Sequence, residues 1–203
     1  NSLHMALPNI DWIDFSNKLM RMLGLERNQY TTQINHNDNI IEYLDNIKRI
    51  NNILIDLSRD MWLYLLQNNL TQSVNNKQII GSSTMPHKIN PIKFENSEGN
   101  LGYANSIFEH LSRKLPISRL QRDLSGSTLF RNIGTNFAHS LLAYKNIING
   151  LERIKPNKNQ ADTELENNWG VLAEAIQTIL RKNGDGNAYE KIKKITRGTG
   201  LDK

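Results

Sequence analysis

The chain has no cysteine, which removes disulfides, cysteine-ligated zinc and thiol catalysis together. It has no apolar run near the roughly 20 residues a helix needs to cross a bilayer, and nothing in it resembles a signal peptide. A cytoplasmic protein with no membrane partner is therefore expected. No stretch alternates apolar and polar residues as a half-buried strand would. The apolar positions recur instead at three and four, so an all-α fold is expected. Proline is scarce, five in 203 residues. Each of these prolines (Pro8, Pro86, Pro91, Pro116, Pro156) falls at or between the ends of helical stretches, where ring and missing N–H are tolerated.

What is present is polar and basic. Lysine and arginine number 25 against 20 acids, for a net charge of +5 and a pI of about 9.4, which suits an anionic partner. The densest basic stretch, Tyr189-Glu190-Lys191-Ile192-Lys193-Lys194, mixes lysines with an acid and apolar residues, as the exposed side of a helix does. No nucleic-acid partner is expected from it.

Helical stretches follow from apolar spacing. Residues 10–24 read as a helix after Pro8, with Gly24 as its stop. Ile40, Leu44, Ile47, Ile50, Leu54, Leu57, Met61 and Leu65 form one seam over 39–66, roughly 40 Å at ~1.5 Å per residue. A helix that long needs long neighbours, so a long-helix bundle is expected. A helix over 91–114 should bury Leu101, Ala104, Phe108 and Leu111 and end before Pro116. A further seam over 119–154 (Phe130, Ile133, Phe137, Leu141, Tyr144, Ile148, Leu151) has near-heptad spacing suited to packing within or between subunits. The tail carries a helix at 160–181 and a short one at 188–196. This divides the chain into a central bundle, 1–155, and part of a smaller C-terminal helical domain, 156–203.

Residues 81–100 interrupt the monotony. Gly81 frees the backbone, Ser82, Ser83 and Thr84 follow, and Pro86 disfavours helix at Met85. Asn90 suits a helix N-cap and Pro91 the first helical position. A hydroxyl on a loop entering a helix N-terminus sits near unpaired N–H groups, which favour anions. Ser82, Lys88, Asn90 and Glu95 place a potential base, a cation, an amide and a carboxylate close together. The glycine pattern fits neither a phosphate-binding P-loop nor a nucleophile elbow.

Gly81-Ser82-Ser83-Thr84-Met85-Pro86-His87-Lys88-Ile89-Asn90-Pro91 resembles the signature loop of the fumarase/aspartase superfamily. Phe94-Glu95-Asn96-Ser97-Glu98-Gly99-Asn100, Tyr30-Thr31-Thr32-Gln33-Ile34 and Ser118-Arg119-Leu120-Gln121-Arg122-Asp123 narrow the resemblance to the adenylosuccinate lyase family, bacterial-like branch. The resemblance implies β-elimination of fumarate from adenylosuccinate, giving AMP, and from SAICAR, giving AICAR, in purine biosynthesis. It further implies a homotetramer acting on a nucleotide substrate without metal or cofactor. Ser82 is implied as the base and Glu95 as the carboxylate that orients a catalytic histidine. Ser83, Lys88 and Asn90 are implied as substrate ligands, with Met85 a backbone contact, Asn96 a further polar contact and Gln33 a substrate-binding amide. Arg122, Ser127 and Arg131 match the group that holds the nucleotide phosphate. Ser127 and Arg131, four apart, suit one helical face.

Family members carry the histidine acid in an N-terminal region, in a Thr/Ser-His-Gly-Gln context that is absent from these 203 residues. The expectation is thus a fragment, inactive alone, whose acid lies elsewhere. His87 is a loop residue near substrate, while His4, His36, His110 and His139 are surface or packing residues without metal-ligand spacing. The competing readings are another superfamily lyase, such as argininosuccinate lyase or fumarase, and a catalytically inactive helical scaffold that binds anionic ligands.

Overall fold

The computed structural model describes residues 2–73, 90–120 and 123–198. Among them the fold is all-α apart from two very short strands. The helices are α1 (Ser2–Ala6), α2 (Trp12–Met22), α3 (Asp38–Leu66), α4 (Ile92–Lys114), α5 (Ser125–Phe130), α6 (Ile133–Leu151), α7 (Lys158–Asn167), α8 (Leu172–Lys182) and α9 (Ala188–Thr196).

The helix ends have local causes. Asp11 caps α2 by accepting from the Ile13 and Asp14 N–H groups, both at 3.0 Å. At the other end Gly24 takes φ +69°, a left-handed conformation costly for any residue with a Cβ. There the Leu25 N–H reaches the Met20 carbonyl at 2.9 Å and the Gly24 N–H reaches Arg21 at 3.1 Å, closing a Schellman motif. The expected stop at Gly24 is thus observed. The helix α4 ends at Lys114, just ahead of Leu115 and Pro116, as expected.

The chain forms two compact units, Asn1–Ile50 with Ala104–Phe137 and Asn51–Tyr103 with Ala138–Lys203. In the first, Leu44, Ala104, Phe108, Leu111 and Leu115 form a buried cluster, joined by Ile40, Ile47, Phe130, Ile133 and Phe137. The Phe108 and Phe137 rings pack with centroids 5.2 Å apart. In the second unit Leu101, Ala143 and Ile147 are buried against Leu54, Leu57 and Tyr144. The four residues expected to be buried along α4 are therefore all in the two cores.

Three expectations need correction. First, strands do exist: β1 (Leu70–Gln72) pairs antiparallel with β2 (Ile154–Pro156), Leu70 opposite Pro156 and Gln72 opposite Ile154. Each is too short to show alternation, and its partner lies more than eighty residues away, so only tertiary pairing creates it. Second, the expected 119–154 stretch is two helices, α5 and α6. Asn132 stands in the break, its side chain donating to the Thr128 carbonyl at 3.4 Å and its N–H to Leu129 at 3.1 Å. Of that seam, Leu141, Ile148 and Leu151 are exposed on the single chain, whereas Asn136, Ser140 and Asn146 are buried. Third, the expected 160–181 helix breaks at Asn168, whose side chain takes the Glu164 carbonyl at 3.1 Å before the short 3-10 turn Trp169–Val171. The short final helix falls at Ala188–Thr196, as expected.

Candidate active site

The first turns of α4 set the geometry in the second unit. The helix starts at Ile92, one residue later than the proline position expected. The Pro91 carbonyl accepts from the Phe94 N–H at 3.0 Å and from Glu95 at 3.3 Å, which puts Pro91 at the cap and half-buried Asn90 just before it. Phe94 and Ser97 then anchor one face. The Phe94 ring is 2 % exposed and occupies the space beside Gly150 on α6, where a Cβ would stand 2.8 Å from its Cζ. The Ser97 hydroxyl lies between the Lys93 carbonyl, 2.7 Å away, and the Ala143 carbonyl, 3.1 Å away, one of which it donates to at a time. With that face buried, Glu95, Asn96 and Glu98 are turned outward and exposed.

Glu95 faces α3. The Trp62 indole N–H donates to Glu95 Oε1 at 2.9 Å, and one turn away Arg59 Nε lies 3.7 Å from Glu98. The pairs 59 with 98 and 62 with 95 run in opposite directions, so these helices are antiparallel here. Trp62 was not among the expected site residues. Its only sequence signal is that it stands three residues after Arg59, matching Glu95 and Glu98.

Asn96 faces α6. Its Oδ1 accepts from Asn146 Nδ2 at 2.6 Å and from Asn100 Nδ2 at 3.0 Å. Asn146 Oδ1 in turn accepts from the Lys93 ammonium at 3.0 Å, and Asn100 Oδ1 lies 2.7 Å from His139 Nδ1. The His139 ring is half-buried against Tyr103, centroids 4.7 Å apart, which fits the expected packing histidine.

In the first unit, Gln33 is exposed in a bend beside Thr32, whose hydroxyl lies 3.2 Å from the Ile34 carbonyl. Ser127 lies on α5, and Arg131 caps that helix in helical geometry, so the two share a face as expected. Both are exposed. The Ser127 hydroxyl donates to the Leu124 carbonyl at 2.8 Å, and this bond must give way for it to donate to a phosphate. Ahead of α5, Asp123 accepts from the Ser125 N–H at 2.8 Å and from Lys114 at 3.2 Å, with Arg119 4.0 Å away. The Ser125 amide first, then its nearby hydroxyl and the Lys114 ammonium, outweigh desolvation and lower the Asp123 carboxyl from 3.8 to about 2.

A pH dependence follows. A carboxyl whose folded pKa lies below its unfolded value stabilises the fold above the unfolded value and loses that contribution as pH falls through the folded one. The Asp123 contribution should be complete above about pH 4 and fade towards about 2. Thermal melts of the wild type and Asp123→Asn across this window check it. The melting difference should shrink as pH falls, and a constant difference would sink the assignment.

Ser82, Ser83, Met85, His87, Lys88 and Arg122 lie outside the described residues. Of the expected site residues that are described, Asn90, Glu95 and Asn96 belong to the second unit, and Gln33, Ser127 and Arg131 to the first. Among the described residues no group of three or more His, Asp or Glu side chains is placed to hold a metal ion.

Comparison with known proteins bears on the whole chain. The family model described as Lyase matches residues 9–104, and the one described as Adenylosuccinate lyase C-terminal matches residues 118–203. Adenylosuccinate lyase of Dictyostelium discoideum is 51% identical over 100% of this chain, and that of Escherichia coli (strain K12) 48% identical over 97%. The chain belongs to the adenylosuccinate lyase family. The corresponding protein of Haemophilus influenzae is 50% identical over 95% of the chain. The chain spans 44%, 43% and 42% of the length of these three relatives. No helix among the described residues is long and apolar enough to cross a membrane.

Proposed function

We propose that this chain supplies the base and the anion-binding groups of an adenylosuccinate lyase. The observation that carries the reading is an identity of about half, along the whole chain, to proteins of that name. The substrates are adenylosuccinate and SAICAR, the compartment the cytoplasm and the working assembly a homotetramer. By this reading residues 1–155 belong to a central helical bundle and residues 156–203 to part of a smaller C-terminal helical domain.

The chemistry is a β-elimination. Ser82, as alkoxide, removes the proton beside a carboxylate, and the electron pair left on carbon builds an aci-carboxylate dianion. Collapse of that dianion forms the fumarate double bond and breaks the C–N bond, while an acid protonates the leaving nitrogen. Lys88, Asn90 and the N–H groups at the start of α4 offset the developing charge. Ser83, Met85 and Gln33 position the succinyl part, and Arg122, Ser127 and Arg131 hold the nucleotide phosphate. Glu95 orients the histidine acid, which comes from the N-terminal region found in family members. The Trp62 indole occupies one Glu95 oxygen, and the other, which takes no hydrogen bond among the described residues, would accept the imidazole N–H.

The test is fumarate release from adenylosuccinate by this chain, alone and mixed with the N-terminal region of a relative. Release only from the mixture is the expected result. Release by the chain alone would place the acid within it, with His87 the first candidate, and no release in either arm would overturn the lyase reading.

A further inference from the structure

The hydrogen bonds around Asn96 have a direction that its neighbours impose. An amide side chain can be turned either way in a network, and which end faces which partner is decided by groups that have only one role. Lys93 is such a group, because its ammonium donates and never accepts. Asn146, 8 % exposed, must therefore turn its carbonyl oxygen to Lys93 and its Nδ2 to Asn96. Asn96 must answer with its oxygen. Asn100 gives a second N–H to that same oxygen at 3.0 Å and another to the Asn96 backbone carbonyl at 2.8 Å. Asn100 Oδ1 then faces His139, whose Nδ1 carries the proton between them.

With both bonds directed to Asn96 Oδ1, its Nδ2 is the end left facing outward, and it makes no hydrogen bond among the described residues. We propose that Lys93, Asn146 and Asn100 are positioning residues that fix the exposed Asn96 amide as a donor only, so that it takes an anionic oxygen and rejects a donor. This inference rests on the lyase reading of the segment for its ligand, and it names the chemistry Asn96 selects. The anion is a carboxylate of the succinyl part or the nucleotide phosphate. A wrongly turned Asn96 would present a carbonyl to that anion, losing a charge-assisted bond and adding a repulsion.

The test uses the whole chain and side-chain amide NMR. In the wild type, the Asn100 and Asn146 Hδ2 protons should be protected from exchange and those of Asn96 exchange freely. Titration with fumarate and, separately, AMP should move the Asn96 Hδ2 signals with one of the two, which identifies the anion. Asn146→Asp keeps the size and the Lys93 contact but removes the donor, so the Asn96 amide should turn, its Hδ2 protons gain protection, and affinity for that anion fall about 10-fold or more. Asn146→Leu removes the donor without adding charge and should leave the Asn96 Hδ2 protons unprotected, which separates turning from repulsion.

Protected Asn96 Hδ2 protons in the wild type would overturn the proposal even if no variant folds. So would signals that move with neither anion, or an Asp variant in which Asn96 stays unprotected. The lyase reading fails on a different result, the absence of fumarate release. If that happens while the Asn96 signals still respond to an anion, the donor assignment stands without the enzyme reading.

Discussion

Replacing Ser82 with alanine should lower the rate of fumarate release from adenylosuccinate by about 100- to 10,000-fold, the range that a positioned general base contributes. The alanine variant should still bind substrate about as tightly, because the groups proposed to hold its anions (Lys88, Asn90, Asn96 and the Arg122, Ser127, Arg131 set) are untouched. The effect is large because an ordinary serine hydroxyl is too weak an acid to ionise near neutral pH. In the proposed role it depends on N–H groups and positive charge that favour the alkoxide. Steady-state kinetics on the assembled enzyme, with KM and kcat resolved, check this. An unchanged kcat would remove Ser82 from the role and bring Ser83 forward.

The largest structural effect should come from Phe94→Ala. Phe94 is 2 % exposed, and its ring fills the space that Gly150 leaves open on α6. Removing it creates a cavity between the start of α4 and the end of α6, and large-to-small changes of this kind cost about 3–5 kcal/mol. Denaturant unfolding should show this as a lower midpoint. Because Phe94 sits directly before Glu95 and Asn96, loosening it should also blur the Trp62 and Asn146 contacts that hold those side chains. A loss below about 1 kcal/mol would mean that the site closes up around the missing ring.

Much of this was legible in the residues themselves. The apolar spacing along 39–66 and 91–114 specifies long helices, because a 3.6-residue repeat puts those positions on one buried stripe. Gly24 and Pro116 mark ends for reasons internal to the backbone. The signature loop and its flanks resemble the family that the whole-chain identities then established. These features depend on residues near one another in the chain, so a linear reading reaches them.

What stayed hidden depends on residues far apart. The pairing of Leu70–Gln72 with Ile154–Pro156 has no local signal, since three residues cannot show a period and the hydrogen bonds come from the partner. The breaks at Asn132 and Asn168 leave no mark in the apolar spacing, and asparagine there is no signal either, since Asn46 and Asn100 make the same bond to the carbonyl four residues back inside unbroken helices. The Trp62 bond to Glu95 required α3 and α4 to lie antiparallel in register. The direction of the Asn96 amide is the clearest case. The resemblance implies Asn96 as a polar contact, but whether its side chain turns an oxygen or an N–H outward is decided by Lys93 acting through Asn146 on another helix. Local sequence determined which groups this protein has and which helices carry them. Tertiary structure decided which way they face, because a hydrogen bond takes its direction from both partners.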